Sequence, residues 1–172
     1  MAFVLLLTFF LIRFGLLSML NGKAVKRAAH FAPLLDKEKV AYWLYQISNV
    51  VIVLYMFFLK VQRTDPLMFA IGVVVYTAGL ILLVVSVANF ATPARNGINQ
   101  NGLYRISRNP MYVSYFVFFI GCVLMTRSMV LFVLVSIFQI TAHWIILAEE
   151  RWCVQKFGNE YLQYMKKVRR YI

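Results

Sequence analysis

Acidic residues are scarce in this sequence: 6 Asp and Glu stand against 18 Lys and Arg in 172 residues, and only 14% of the chain is charged. A soluble basic domain, such as a nucleic-acid binder, carries its positive charge on a surface rich in other polar groups. With 62% of residues hydrophobic, almost no such surface is left, so the soluble classes and nucleic-acid binding are excluded. Cysteine is sparse too, and Cys122 and Cys153 cannot make a disulfide framework. The only histidines, His30 and His143, have no second plausible ligand near them in sequence, so no metal site is expected. Internal repeats and low-complexity tracts are missing, which removes support for a solenoid or an inverted-repeat transporter. What remains is an all-α, polytopic membrane helix bundle forming a single domain over residues 1–172.

Apolar runs extend over Ala2 to Leu20, Val40 to Leu59, Pro66 to Phe90, Met111 to Met125 and Met129 to Ala148. A helix of about 20 residues matches the hydrocarbon thickness, so five transmembrane helices are expected, the fourth of them short. Thr126, Arg127 and Ser128 alone separate the last two, which predicts a tight helical hairpin with Arg127 reaching the far interface. The first run lacks a basic leader and contains Arg13, the pattern of a membrane helix and not of a cleaved signal peptide.

The basic residues orient these helices, because short loops rich in Lys and Arg stay cytoplasmic. The segment after the first helix, the loop after the third and the tail carry 14 of them, against 3 on the other side. The amino terminus is therefore expected outside, with the long loop and the C-terminal tail cytoplasmic. The first three helices occupy residues 1–90. Residues 91–172 hold the loop, the hairpin and the tail.

Three polar features converge on the cytoplasmic face. Residues 91–110, rich in Asn, Gly and Pro, are too long for a plain linker. They end on Gly102-Leu103-Tyr104-Arg105-Ile106-Ser107-Arg108-Asn109-Pro110-Met111-Tyr112, with Pro110 opening the fourth helix. The N–H groups of that helix start, with Arg108, favour an anion, although basic residues there also serve simply to fix topology. In the fifth helix, about 100° per residue places Gln139 and His143 within roughly 20° of Glu150, a polar stripe facing the bundle. Glu149 points about 100° away. Gln139 and His143 are read as interhelical hydrogen-bonding residues. The tail from Arg151 to Ile172 is basic and aromatic, which also suits a segment lying on an anionic leaflet.

Gly102-x-Tyr104-x-x-x-Arg108-Asn109-Pro110-x-Tyr112, a helical hairpin, Glu149-Glu150, and then Phe157-Gly158-x-x-Tyr161-x-x-Tyr164-x-x-x-Val168 resemble, in order and spacing, the C-terminal half of the isoprenylcysteine carboxyl methyltransferase and phospholipid methyltransferase superfamily. The resemblance covers roughly residues 100 to 172; the first three helices resemble the family only in being apolar. It implies an S-adenosylmethionine-dependent enzyme whose cofactor lies between the loop, the paired glutamates and the tail, while a lipophilic acceptor enters from the bilayer. Asn109 departs from the His of many members, and Asn-Pro-Met-Tyr is similar to the phospholipid N-methyltransferases. Asn keeps a donor and an acceptor but does not titrate near neutral pH.

On this reading Gly102, Tyr104, Arg108, Asn109, Pro110, Tyr112, Glu149, Glu150, Tyr161 and Tyr164 are the expected cofactor-binding residues. Arg108 with the helix start supplies a cationic end, and the glutamates an anionic one. Glu150, as acceptor of a proton, and Arg169, as orienting cation, are the expected catalytic residues. The expected reaction is methyl transfer to a lipophilic acceptor such as a phospholipid amine. A prenylcysteine carboxyl or small-thiol methyltransferase is the alternative within the superfamily, and a non-enzymatic scaffold holding anionic lipid the alternative outside it.

Overall fold

The computed structural model describes residues 1–28, 32–94 and 97–172; His30 and Arg95 lie outside that set, as do the side chains of Lys23 and Lys37. Among the described residues there are no strands, and Ser107 with Arg169 forms one isolated parallel bridge. Helix α1 runs Val4–Leu20 and passes through a π-helical stretch at Leu11–Leu16. Then come α2 (Gly22–Ala28), α3 (Asp36–Phe58), α4 (Pro66–Ala91), α5 (Pro110–Thr126), α6 (Met129–Phe157) and α7 (Asn159–Lys167). A short 3-10 turn, Gly102–Arg105, lies in the long connection before α5.

The five apolar runs become three helices long and apolar enough to cross a membrane, within α3, α4 and α6, and two shorter apolar helices, α1 and α5. The 17 residues of α5 give about 26 Å of helix, a little under the hydrocarbon thickness. At the other extreme, α6 has 29 residues. It does not end at Ala148, because nothing helix-breaking follows until Gly158, whose φ of +57° stops it. The paired glutamates therefore sit inside a continuous helix, with two further turns beyond them.

Helix starts follow their local chemistry. The Asp65 side chain accepts the Met68 N–H at 3.1 Å ahead of Pro66, and Ser128 Oγ accepts the Leu131 N–H at 3.1 Å. Between α5 and α6 only Arg127, at φ +51°, and Ser128 are non-helical. The hairpin is tight, yet its two arms find other partners: α5 lies chiefly against α4, and α6 against α3. Glycines explain the first contact. A Cβ on Gly79 would run into the Phe118 backbone and one on Gly121 into that of Tyr76, so the two backbones approach as closely as small residues allow. On the second, Tyr45 stacks on Phe138 with centroids 5.0 Å apart, and Arg151 grips Glu38 through both oxygens at 2.8 and 2.7 Å.

Leu6, Ile52, Leu83, Phe118 and Phe138 fill the common core. Outward, α3 and α4 expose Trp43, Ile47, Leu54, Val74 and Ile81, large apolar side chains suited to contact with lipid. A second small core of Ile98, Tyr161 and Tyr164, packed with Phe157, joins the long loop to the tail.

Candidate functional site

The long loop, the second half of α6 and the C-terminal segment meet at one end of the bundle. Arg108 joins all three. Its Nε and Nη2 donate to Glu150 Oε1 at 3.0 and 2.9 Å, and its Nη1 donates to the carbonyls of Met165 and Val168 at 2.9 and 2.8 Å. Arg170 takes the other oxygen of Glu150, with Nε and Nη2 at 3.0 and 2.9 Å. The Arg108 and Glu150 side chains are only 7% and 5% exposed. Such a pair is tolerable in low dielectric because its polar atoms are satisfied by several hydrogen bonds. Backbone and amide bonds reinforce it: the Arg108 N–H donates to the Arg169 carbonyl at 2.9 Å, and Asn109 Nδ2 to that of Arg170 at 3.2 Å.

Arg108 and Glu150, assigned from the sequence to opposite ends of a ligand, are thus bonded to each other. Glu149, one residue earlier, points elsewhere, and its Oε1 accepts the Tyr112 hydroxyl at 3.1 Å. It faces a cavity of about 520 Å3, within the range of roughly 300–1,000 Å3 typical of small-molecule sites. Tyr104, Arg108, Asn109, Tyr112, Glu150, Tyr161 and Tyr164 line the same cavity. Burial pushes the Tyr104, Tyr161 and Tyr164 hydroxyls above the usual phenol range, so these are neutral side chains at any physiological pH. Tyr164 donates its hydroxyl to the Tyr104 carbonyl at 2.6 Å, which ties the tail to the 3-10 turn.

Three expected residues stand apart from the cavity wall. Gly102, at φ +49°, lies against Asn89, whose side chain a Cβ would overlap and whose Oδ1 accepts the Leu103 N–H at 2.9 Å. It shapes the loop. Pro110 is buried at the first position of α5. The Arg169 side chain is exposed, while its backbone carries the bridge to the loop; Arg170 is the one that reaches Glu150. Neighbouring residues in an extended segment point to opposite faces, so choosing between two adjacent arginines needs the register set by Ser107 and Arg169. His143 Nδ1 is 2.7 Å from the Tyr171 hydroxyl, a bond to the tail. Gln139 Oε1 is buried with no hydrogen-bond partner among the described residues.

The cavity also takes in residues that the sequence patterns did not single out as a site: Arg13, Lys26, Arg27, Asn99, Tyr115 and Lys156. Arg13 had a signal, being a charge inside an apolar run; Asn99 had none. Its Oδ1 is buried without a hydrogen-bond partner among the described residues, an acceptor available to a ligand N–H donor. Glu149, Asn99, the tyrosine rings and the first-turn N–H groups of α5 beside Met111 and Tyr112 form a set that fits a zwitterionic nucleoside-like molecule: a carboxylate for an ammonium, N–H groups for an anion, rings for a base.

No curated protein and no solved structure matches the chain. A family model, described as phospholipid methyltransferase, matches residues 66–160, a stretch that starts at α4 and runs through the loop, the hairpin and the paired glutamates into α7. With more than half of its length so matched, the chain belongs to the phospholipid methyltransferase family of membrane proteins, within the superfamily that includes the isoprenylcysteine methyltransferases.

Proposed function

We propose that this protein transfers the methyl group of S-adenosylmethionine to a lipophilic acceptor, a phospholipid amine first among them, in the cavity between the long loop, α6 and the tail. The observation that carries the reading is the cavity itself: eight of the ten residues expected to hold the cofactor line one volume of about 520 Å3, with Glu149 on its wall and, among the described residues, Tyr112 as the one hydrogen-bond partner of that carboxylate. The cofactor supplies an electrophilic methyl carbon, already activated by its sulfonium. The residues then have to bind, orient and exclude water. Glu149 is the carboxylate for the cofactor's ammonium or for the proton of an acceptor amine. Tyr104, Tyr161 and Tyr164 enclose the adenosine, Asn99 Oδ1 accepts from a base N–H, and the start of α5 with Asn109 holds the carboxylate end. Glu150, gripped by Arg108 and Arg170, acts through position: it fixes the tail as one wall.

In this proposal α1 and α5 complete five crossings, with the amino terminus outside and the cavity and carboxyl terminus cytoplasmic, as the basic residues indicate. The test pairs binding with product detection. S-adenosylhomocysteine should raise the thermal stability of the purified protein by mass action, Glu149→Gln should abolish that rise, and incubation with S-adenosylmethionine and extracted lipids should yield a methylated lipid identified by mass. A scaffold would show no stabilisation at all. Methylation of a prenylcysteine or a small thiol in place of the lipid amine would move the acceptor to the alternative within the superfamily.

A further inference from the structure

The polar groups used above leave one side of the cavity unassigned. That side is built by the N-terminal segment, outside the stretch shared with the family model, and it presents Arg13 from α1 with Lys26 and Arg27 from α2. None of the three forms an ion pair with a carboxylate among the described residues, where Glu149 and Glu150 engage Tyr112, Arg108 and Arg170 instead. Arg27 is anchored through Nη2 to the Phe90 carbonyl at 2.9 Å, at the end of α4. Arg13 donates Nη2 to the Ala28 carbonyl at 3.1 Å. Lys26 and Arg27 are exposed and Arg13 is half-buried, and basic groups so placed beside a bilayer attract anionic lipid groups.

The position of Arg13 says which anion. Its guanidinium carbon lies 5.9 Å from the centroids of both Phe14 and Tyr115. Phe14 is 55% exposed on the outer face of α1, whereas Tyr115 is 6% exposed and lines the cavity. The arginine therefore stands at the passage between lipid and cavity, on the π-helical stretch Leu11–Leu16, a departure from regular helix often found at functional positions. Leu7 and Leu11 continue the exposed apolar face beside Phe14, offering a track for acyl chains. A soluble anion would have no use for that track.

We infer that Arg13, with Arg27 and Lys26, binds the phosphodiester of the acceptor lipid, holding its headgroup at the cavity mouth while the acyl chains stay against α1. This rests on the reading of the cavity as a methyl-transfer site for its biological meaning, but the binding is measurable without it. Full-length protein in detergent is titrated, by native mass spectrometry, with phosphatidylethanolamine, with oleylamine as an amine lipid lacking phosphate, and with glycerophosphoethanolamine lacking acyl chains. Arg13→Gln and, separately, Arg27→Gln should weaken phosphatidylethanolamine about tenfold or more, the worth of a charge-assisted hydrogen bond. Arg13→Lys should recover part of that affinity. Oleylamine and S-adenosylhomocysteine affinities should stay within about twofold of wild type in every variant, which also certifies folding. Unchanged phosphatidylethanolamine binding in both Gln variants would overturn the inference, as would an equal loss for oleylamine, a selective loss of S-adenosylhomocysteine, or glycerophosphoethanolamine binding as tightly as the lipid. Arginine-dependent lipid binding in a protein that ignores S-adenosylhomocysteine would sustain this inference and sink the methyltransferase reading; the converse pattern would do the reverse.

Discussion

Glu150 joins the tail to the bundle, and changing it to Gln tests what the paired glutamates each do. The substitution keeps the side-chain volume but removes the charge that faces two guanidinium groups, one of them almost wholly buried. Removing one partner of a buried pair costs about 3–5 kcal/mol, mostly for the charge left behind. The Arg170 half, 31% exposed on the arginine side, adds little because solvent screens it, so the lower end, about 3 kcal/mol, applies. That cost falls on a defined segment, since the same Arg108 holds the Met165 and Val168 carbonyls and donates its own N–H to the Arg169 carbonyl. In hydrogen exchange at fixed pH, the amides of Arg108 and Val168 should therefore exchange roughly a hundredfold faster in Glu150→Gln than in wild type, at about 1.4 kcal/mol per factor of ten. Amides in the α4 and α5 core should keep their protection. Glu149→Gln, which removes the charge while its amide oxygen can still accept the Tyr112 hydroxyl, should leave the tail amides within a few-fold of wild type and lose S-adenosylhomocysteine binding instead. Exchange at Arg108 and Val168 that hardly changes in Glu150→Gln, or loosens equally in Glu149→Gln, would refute the division of labour between the two carboxylates.

Arg170→Ala should loosen the tail by about 1–2 kcal/mol, whereas Arg169→Ala, on an exposed side chain, should stay within about 0.5 kcal/mol of wild type; limited proteolysis after α7 compares the two. Gly79→Val and Gly121→Val should each destabilise the α4 and α5 pair by about 1–3 kcal/mol or more through overlap with the facing backbone, read as a fall in melting temperature in detergent. Tyr112→Phe removes the hydroxyl that donates to Glu149 and should cost about 1.5–3 kcal/mol in cofactor affinity if the freed carboxylate loses its orientation, measured by calorimetry with S-adenosylhomocysteine.

Much of this protein was legible in the order of its residues. Apolar runs of this length in a chain with so few acidic residues point to helices in lipid, because a helix satisfies its whole backbone within one segment in hydrocarbon. Pro66, Pro110 and Ser128 mark helix starts through fixed φ and a side-chain acceptor, all of it local chemistry. The order and spacing of the motifs from Gly102 to Val168 brought the family within reach by resemblance. Periodicity could not tell where α6 stops, since a helix runs on through Glu149 and Glu150 as readily as through leucines; the short fourth helix was legible, but not that the first run also yields one of the shorter apolar helices.

Partnership across the chain was decided only by the fold. Glycines at 79 and 121 draw α5 onto α4 and leave α6 to α3. The register of Ser107 against Arg169 turns Arg170, and not its neighbour, toward Glu150. With Arg108 and Arg170 both committed to Glu150, Glu149 is left, among the described residues, with the Tyr112 hydrogen bond and a place on the cavity wall. Arg13, a lone charge in the first apolar run, acquires its meaning from Tyr115, more than a hundred residues away. Local sequence fixes which groups are present and how the backbone is hydrogen-bonded; which charge meets which depends on packing between distant segments, and that is where the chemistry of this cavity is set.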